Sequence, residues 1–235
     1  MRSGERQPVA PHAIRRAGIL LLACLTFGCT STLVDYSTSV HIVQPGETLY
    51  SIAWRHRVNH NDLARWNGLS DPDVIFVGQR LQLRPGAPAA ASPSAQPSVR
   101  PSARPLPELP QVPPPRWLWP TRGPLLRAFG ASDGLVNGIG IGGEAGQEIS
   151  AAAAGRVVYA GSGLQAYGAL VIINHNDSFL SAYGYNERLL VSQGQDVGAG
   201  QAIATLGLGP QRRPQLHFEI RQNGTPVDPL RHLPR

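Results

Sequence analysis

The sequence predicts two folded modules of different class, a small α+β module with a βααβ layout and a larger, mainly antiparallel all-β domain. Apolar residues recur with helical spacing within residues 40–83. From residue 117 onwards, Gly-rich turns alternate with short β-branched runs. Between them, residues 85–115 hold half of the chain's 22 prolines. The 235 residues therefore suffice for two modest domains and a disordered Pro-rich linker.

The N-terminus predicts a lipoprotein signal peptide. Its arginines precede an apolar run over residues 17–28, too short to span a bilayer but typical of a signal-peptide core. The run ends at Cys29 in a pattern that resembles a bacterial lipobox. We expect a signal peptide over 1–28, a lipidated Cys29 and a tether over 29–39. A plain signal peptide with incidental cysteines is an alternative.

Cys24, which follows Leu-Leu-Ala, is the other candidate for lipidation. Cleavage before Cys24 would leave Cys29 as an unpaired thiol in an oxidising compartment, which favours Cys29. Neither cysteine is followed by Asp, and by resemblance to lipoprotein sorting signals this implies the outer membrane of a Gram-negative bacterium, facing the periplasm.

The net charge of +6 and the pI near 10.0 suit polyanionic surroundings such as nucleic acid, anionic lipid or cell-wall polymer. The basic residues are scattered, without a run of the nucleic-acid-binding type. We therefore predict no nucleic-acid partner.

Residues 40–84 contain signals for two short helices between two short strands. Thr48 is the predicted N-cap of a first helix whose apolar positions recur at i, i+3 and i+4. Asn61 is the predicted cap of a second helix, which Asn67 and Gly68 end. We expect two histidines of these helices to face solvent: His56 and His60.

The segments GETLYSIA, LARWNGL and VGQRLQL resemble a LysM module over this whole region. The resemblance implies binding to the N-acetylglucosamine-containing glycan strands of peptidoglycan. The groove would lie between the first strand–helix turn and the loop after the second helix. Its candidate residues are Gly46, Glu47, Thr48, Leu49, Gly68, Leu69, Asp71, Val74 and Ile75. Core packing is the alternative role for Leu49 and Ile75.

The Pro-rich linker over 85–116 favours extended polyproline-II-like chain. At about 3.1 Å per residue its upper reach is roughly 95 Å. We expect it to let the larger domain search the wall around the LysM module.

Residues 117–235 resemble a LytM-type, lysostaphin-like peptidase domain over nearly their full length. The resemblance implies hairpins over 149–161 and 191–204, with a buried strand over 167–175. Glycines lie where tight β-turns between these strands need a positive φ or a close backbone approach. We therefore expect a compact antiparallel domain.

The metal site of that family is dismantled in this sequence. The family's H-x-G-x-D motif aligns with residues 136–140, which places Val136 and Gly140 at the ligand positions. The family's catalytic histidine aligns with Tyr185, and its HxH strand aligns with Gln215 and His217. Only His217 keeps the required chemistry, whereas catalytic zinc needs about three protein ligands.

We therefore expect no catalytic residue, no metal and no cofactor in this domain. Three further residues are candidates to replace a lost ligand: His175, Asp177 and Glu219. Glu219 shares the strand face of His217, because residues i and i+2 of a strand point to the same side.

LysM, a Pro-rich linker and a degenerate LytM domain on a lipoprotein together resemble the NlpD-type murein hydrolase activators. The resemblance implies a non-catalytic activator of peptidoglycan N-acetylmuramoyl-L-alanine amidases in cell separation. The vacated groove, with Tyr185, Gln215 and His217, would bind the amidase. Core packing for Tyr185 and solvent exposure for Gln215 are the alternatives.

Two other functions stay open on the sequence: an active or residual zinc endopeptidase of peptidoglycan, and a passive tether from outer membrane to wall. Seven arginines of the larger domain either edge the groove and steer an acidic partner or are simply solvated. These are Arg122, Arg127, Arg156, Arg188, Arg212, Arg213 and Arg221.

Overall fold

The computed structural model describes residues 40–85, 113–132 and 135–235. The predicted signal peptide, the tether, both candidate lipidation cysteines and most of the predicted linker lie outside these residues. Within the described ranges, no helix has the length and apolar character needed to cross a membrane.

The small module has the expected βααβ layout. Its elements are β1 (Val40–Ile42), α1 (Leu49–His56), α2 (His60–Trp66) and β2 (Arg80–Gln82). Thr48 caps α1 as predicted, and its hydroxyl accepts from the Ser51 amide at 3.0 Å while Ser51 Oγ accepts from the Thr48 amide. Strands β1 and β2 pair antiparallel, and the helices enclose a small apolar core between them and the strands.

Three local expectations for this module are wrong. Helix α2 begins after Asn59, whose Oδ1 accepts from the Asn61 amide at 2.8 Å, so the cap lies two residues earlier than predicted. His60 is buried against the Tyr50 ring at 4.6 Å between centroids, and burial lowers its pKa to about 4. His56 is half-buried, with Nε2 3.3 Å from Nδ1 of His41.

The larger domain is an antiparallel sheet of ten strands in the described residues. The strands are β3 (Leu125–Arg127), β4 (Ile139–Gly142), β5 (Glu148–Ser150), β6 (Gly155–Gly161), β7 (Ala169–Asn174), β8 (Phe179–Leu189), β9 (Asp196–Val197), β10 (Ala202–Leu206), β11 (Gln215–Gln222) and β12 (Thr225–Val227). Their main order is β3-β4-β11-β8-β7-β6-β9. Strand β10 pairs with β5 and β8, and β12 pairs with β11. Short 3-10 helices span Gln165–Tyr167, Pro210–Arg212 and Pro229–Arg231.

The two implied hairpins are not hairpins. Strand β5 pairs with β10, whereas β6 pairs with β7 and β9. The small buried residues Ala151–Ala153 carry the chain between these strands through the core, with the Ala151 amide bonded to the Gln201 carbonyl. The chain therefore changes strand partners here instead of folding back on itself.

Both faces of the sheet are covered. On one face, Leu216, Phe218 and Ile220 of β11 enter the main core. On the other face, Tyr50 and Trp54 of α1 join a second apolar cluster with residues of β6, β7 and β8. The LysM module therefore packs directly on the larger domain and completes one of its cores.

Candidate functional site

The positions that align with the family's metal site, here called the dismantled site because the sequence predicts the loss of its ligands, lie where β4, β8 and β11 run side by side. His217 of β11 pairs with Gly140 of β4 on one side and with Gly184 of β8 on the other. Gln215 pairs with Gly142. This register brings three of the sequence-aligned positions together: Gly140, Gln215 and His217.

Tyr185 lies at the point where β8 changes partners. Its neighbour Gly184 still pairs with His217, whereas Asn186 pairs with Leu206 of β10. The Tyr185 backbone is left-handed with φ of 63°, which is uncommon for an aromatic residue and marks a locally strained position. Its ring centroid lies 6.0 Å from that of His217, so Tyr185 lies beside the other aligned positions.

The Tyr185 phenol keeps its proton near neutral pH. The residue is half-buried, and burial raises the pKa of the phenol. A protonated phenol is a hydrogen-bond donor and an apolar surface, and it is a poor ligand for zinc.

His217 is completely buried, with 0% of its surface exposed. Nη2 of Arg127 lies 2.7 Å from its Nδ1. A guanidinium has no acceptor, so it donates, Nδ1 accepts, and the imidazole proton lies on Nε2, 3.5 Å from Oε1 of Glu219. Burial lowers the pKa of His217, which keeps the ring neutral between its two partners.

The position of the family's second ligand is occupied by other groups. A Cβ on Gly140 would lie 3.2 Å from Cβ of Arg127 and 3.2 Å from Oε1 of Gln215. Arg127 therefore fills the space beside Gly140 and also places a positive charge against His217. Val136, at the first ligand position, is 39% exposed in the loop before β4.

This residue set does not fit a catalytic zinc ion. Valine and glycine offer no side-chain donor, and the Nδ1 lone pair of His217 is engaged by the guanidinium of Arg127. In the part of the chain that the structure describes, no group of three or more His, Cys, Asp or Glu residues is arranged to hold a metal.

Two of the residues that could replace a lost metal ligand are engaged in hydrogen bonds with other groups. His175 contacts the Ala154 carbonyl at 2.8 Å and Ser181 Oγ at 2.7 Å. Glu219 accepts from Nε of Arg221 at 3.1 Å and from the Tyr167 hydroxyl at 3.2 Å.

A buried polar line runs along β11 from the dismantled site to the LysM module. His217, Glu219 and Arg221 share one face of the strand, as residues i, i+2 and i+4 must. Nη1 of Arg221 donates to the Trp54 carbonyl at 2.8 Å, and its guanidinium lies 3.5 Å from the centre of the Trp54 ring. Arg221 thus joins the site's strand to helix α1.

Seven arginines were expected from the sequence either to edge the groove or to be solvated, but two of them are buried. Arg127 and Arg221 are only 9% and 2% exposed. The i+4 spacing of Arg221 from His217 on one strand face was the sequence signal for its location. The other five are exposed: Arg122, Arg156, Arg188, Arg212 and Arg213.

The predicted glycan-binding residues divide between surface and core. Glu47 lies in the turn before α1, where it pairs with His41 at 2.6 Å and with Arg55. Leu49 is fully buried in the LysM core, which favours its alternative role in packing, and Thr48 is occupied as a helix cap. Ile75 is partly buried against the same core. The predicted residues with exposed surface are Gly46, Gly68, Asp71 and Val74, while Leu69 is half-buried.

Exposed apolar side chains surround the dismantled site. Leu126 packs against Gly142, the pairing partner of Gln215. Leu208 adjoins Gly209, whose added Cβ would meet the Gln215 side chain. Both leucines are exposed, as is Val136. Exposed apolar side chains grouped on a surface are one mark of a protein-interaction site.

Comparison with known proteins agrees with this architecture. The model of the LysM domain matches residues 41–84, and that of peptidase family M23 matches residues 134–229. The lipoprotein YgeR of Escherichia coli K12 is 41% identical, over 92% of this chain and 89% of its own.

Two further relatives span both domains. The NlpD/LppB homologue of Pseudomonas aeruginosa is 42% identical, over 83% of this chain and 77% of its own. The murein hydrolase activator NlpD of Escherichia coli K12 is 35% identical, over 86% of this chain and 69% of its own. Since the likeness covers both domains and most of each relative, the chain belongs to the NlpD/LppB family of lipoproteins, with a LysM domain and a domain of peptidase family M23.

Proposed function

We propose that this protein is a non-catalytic activator of a periplasmic N-acetylmuramoyl-L-alanine amidase in cell separation. The observation that carries the proposal is that Arg127, Gln215 and Tyr185 surround His217 and Gly140, at positions that align with the metal site of the M23 family. A relative that carries the name murein hydrolase activator supports the same role.

The groove around Tyr185 and Gln215 is the proposed amidase-binding surface. Both side chains are half-buried, so each has surface left for a partner. A half-buried tyrosine beside exposed apolar side chains resembles the anchor residues of protein interfaces. His217 lies below this surface, and its role would be to hold Arg127 in place. An inserted helix or loop of the amidase would fit such a groove.

The LysM domain and a lipid would place the activator. We propose a lipid on Cys29, with Cys24 as the alternative, an outer-membrane anchor facing the periplasm, and glycan binding through the exposed turn at Gly46 and Glu47. The proposed segments are a signal peptide over 1–28, a tether over 29–39, LysM over 40–84, a linker over 85–116 and the M23 domain over 117–235.

A dye-release assay on labelled peptidoglycan sacculi tests the proposal. The sacculi are incubated with a purified amidase, with and without the whole chain. The test variant combines Tyr185→Asn, because asparagine tolerates the left-handed backbone, with Gln215→Ala. We expect it to require about tenfold more protein for the same stimulation, since two contacts at the centre of an interface are lost.

The control variant is Gln193→Ala, which changes an exposed turn before β9 at the opposite end of the strand order. It should stimulate as well as the unmodified chain. Equal stimulation by the groove variant would refute the groove assignment. Dye release by the chain alone would identify a hydrolase instead of an activator.

A further inference from the structure

A cavity of about 510 Å³ lies between helix α1 of the LysM domain and the larger domain. The LysM side is lined by Trp54, Arg55 and Arg57. The opposite side is lined by Asn137, Tyr167 and Arg221. A volume of several hundred cubic ångströms at a domain interface is typical of small-ligand sites. Neither domain alone would form this cavity.

The charge of the cavity favours an anion. Three guanidinium groups line it, and no described lining residue is acidic. Arg221 is neutralised by Glu219 and Arg55 by Glu47. The side chain of Arg57 has no ion pair or hydrogen bond within the described residues, so its charge is available to a ligand. A guanidinium binds a carboxylate through two parallel hydrogen bonds.

The walls suit a ligand that is partly apolar and partly polar. The rings of Trp54 and Tyr167 lie edge to face, with centroids 6.4 Å apart, and form an aromatic surface. Asn137 adds an amide that both donates and accepts. Short peptides present this combination of aliphatic side chains, amide groups and carboxylates.

The cavity adjoins the turn proposed to bind glycan. Glu47 of that turn pairs with Arg55, and Nη2 of Arg55 also lies 3.4 Å from the Gly163 carbonyl across the cavity. A peptidoglycan strand bound at the turn would therefore be separated from the cavity only by the side chain of Arg55. The peptide stems of such a strand carry the carboxylates that the cavity favours.

We propose that this composite cavity binds a carboxylate of the peptide stem of a peptidoglycan strand whose glycan lies on the LysM turn. The inference rests on the proposed glycan binding by LysM. A stem held between Arg57 and the larger domain contacts both domains together, so its binding stabilises their docked arrangement.

Isothermal titration calorimetry of the whole chain tests the inference with two matched ligands. One is a peptidoglycan tetrasaccharide with its peptide stems, and the other is the same tetrasaccharide after removal of the stems. We expect the stems to tighten binding by about fivefold, the effect of one charge-assisted contact near a surface. The gain should shrink as salt rises.

Two variants test whether Arg57 is responsible for the tighter binding of the ligand with peptide stems. Arg57→Asn removes the charge while keeping a residue that tolerates the φ of 56° at this position. Arg80→Gln removes an exposed charge of β2, outside the cavity lining. Arg57→Asn should abolish the advantage of the stems and leave binding of the stripped glycan unchanged, and Arg80→Gln should change neither.

The outcomes separate this inference from the function on which it rests. If the stripped glycan binds but the stems add nothing, or if their gain survives Arg57→Asn, the cavity does not bind the stem. If neither ligand binds, the glycan-binding role of LysM fails and the cavity assignment fails with it.

Discussion

At the residue scale, Arg127 contacts the positions that align with the metal site of the M23 family. Arg127 lies against His217 and beside Gly140, where a ligand side chain would otherwise project. The guanidinium of Arg127 thereby engages Nδ1 of the retained histidine. The groove is therefore held by hydrogen bonds between side chains, and its shape depends on residues that reach no partner themselves.

Arg221 provides a test of how strongly the buried polar line contributes to stability. Arg221→Met should lower the free energy of unfolding by about 3–5 kcal/mol, because it leaves the Glu219 carboxylate buried without its cation. The double variant Arg221→Met, Glu219→Gln should recover a large part of the loss, since the unpaired charge is then removed as well. Urea unfolding measures both. Equal losses in the single and double variants would contradict this explanation.

The sequence predicts part of this site at the residue scale. The alignment of Tyr185, Gln215 and His217 follows from the resemblance to the LytM-type family, and the shared strand face of Glu219 follows from its spacing to His217. The structure places these residues near one another. The role of Arg127 does not follow, because its contact with His217 joins strands β3 and β11, distant in sequence. A local pattern carries no information about such a pairing.

At the element scale, the turn between β11 and β12 fixes the LysM domain to the sheet. Gly224 has a φ of +79°, and a Cβ there would lie 2.6 Å from the Asn59 amide nitrogen. Nδ2 of Asn61, in the first turn of α2, also donates to the Asp177 carbonyl at 2.9 Å, so the LysM domain contacts the sheet both before and within α2. This turn needs glycine both for its backbone conformation and for the close approach of the LysM domain.

Two glycine variants separate these requirements. Gly224→Ala should displace the LysM domain and lower hydrogen-exchange protection of the α1 amides by about tenfold or more. Gly130→Ala is the matched control, with a φ of +78° and nothing within 4 Å of its added Cβ. Gly130→Ala should lower the free energy of unfolding only by the strain of a left-handed alanine, about 1–2 kcal/mol. It should leave the hydrogen-exchange protection of the α1 amides unchanged relative to that of the β11 amides. Similar exchange patterns in the two variants would contradict a contact role for Gly224.

The positions of the helices and strands were easier to predict from the sequence than the strands and domains with which they pack. Thr48 identified the start of α1 because a capping residue and the apolar spacing agree locally. The presumed hairpin over 149–161 was wrong, since strand boundaries do not specify which strand each one pairs with. The docking of α1 was also missed, because the burial of Trp54 is explained equally well by a core within LysM.

At the scale of the whole molecule, the buried His60 and His217 and the half-buried His175 couple stability to pH. Burial lowers the pKa of His60 and His175 to about 4 and lowers that of His217. In the unfolded chain they take up protons near pH 6.5, whereas the folded protein resists protonation. Acid therefore favours the unfolded state over the range between these values.

We expect the free energy of unfolding to fall as the pH drops from about 6.5 towards about 4. Each fully shifted histidine contributes about 1.4 kcal/mol per pH unit in this range. His60→Leu removes the contribution of one histidine and should reduce the slope of the unfolding free energy against pH by about 1.4 kcal/mol per pH unit. This change distinguishes the histidine from carboxylates that titrate in the same pH range. Urea unfolding at pH 7 and pH 5 measures the difference. An unchanged slope in His60→Leu would exclude His60 as a source.

The second core has a consequence for how this chain can change over evolution. Trp54 belongs to one domain and Arg221 to the other, and the two side chains stack on each other and are both buried. A LysM domain taken from an unrelated protein would leave Arg221 and the apolar face of the sheet exposed to water. We therefore expect that either domain can be exchanged only for one that supplies the matching surface.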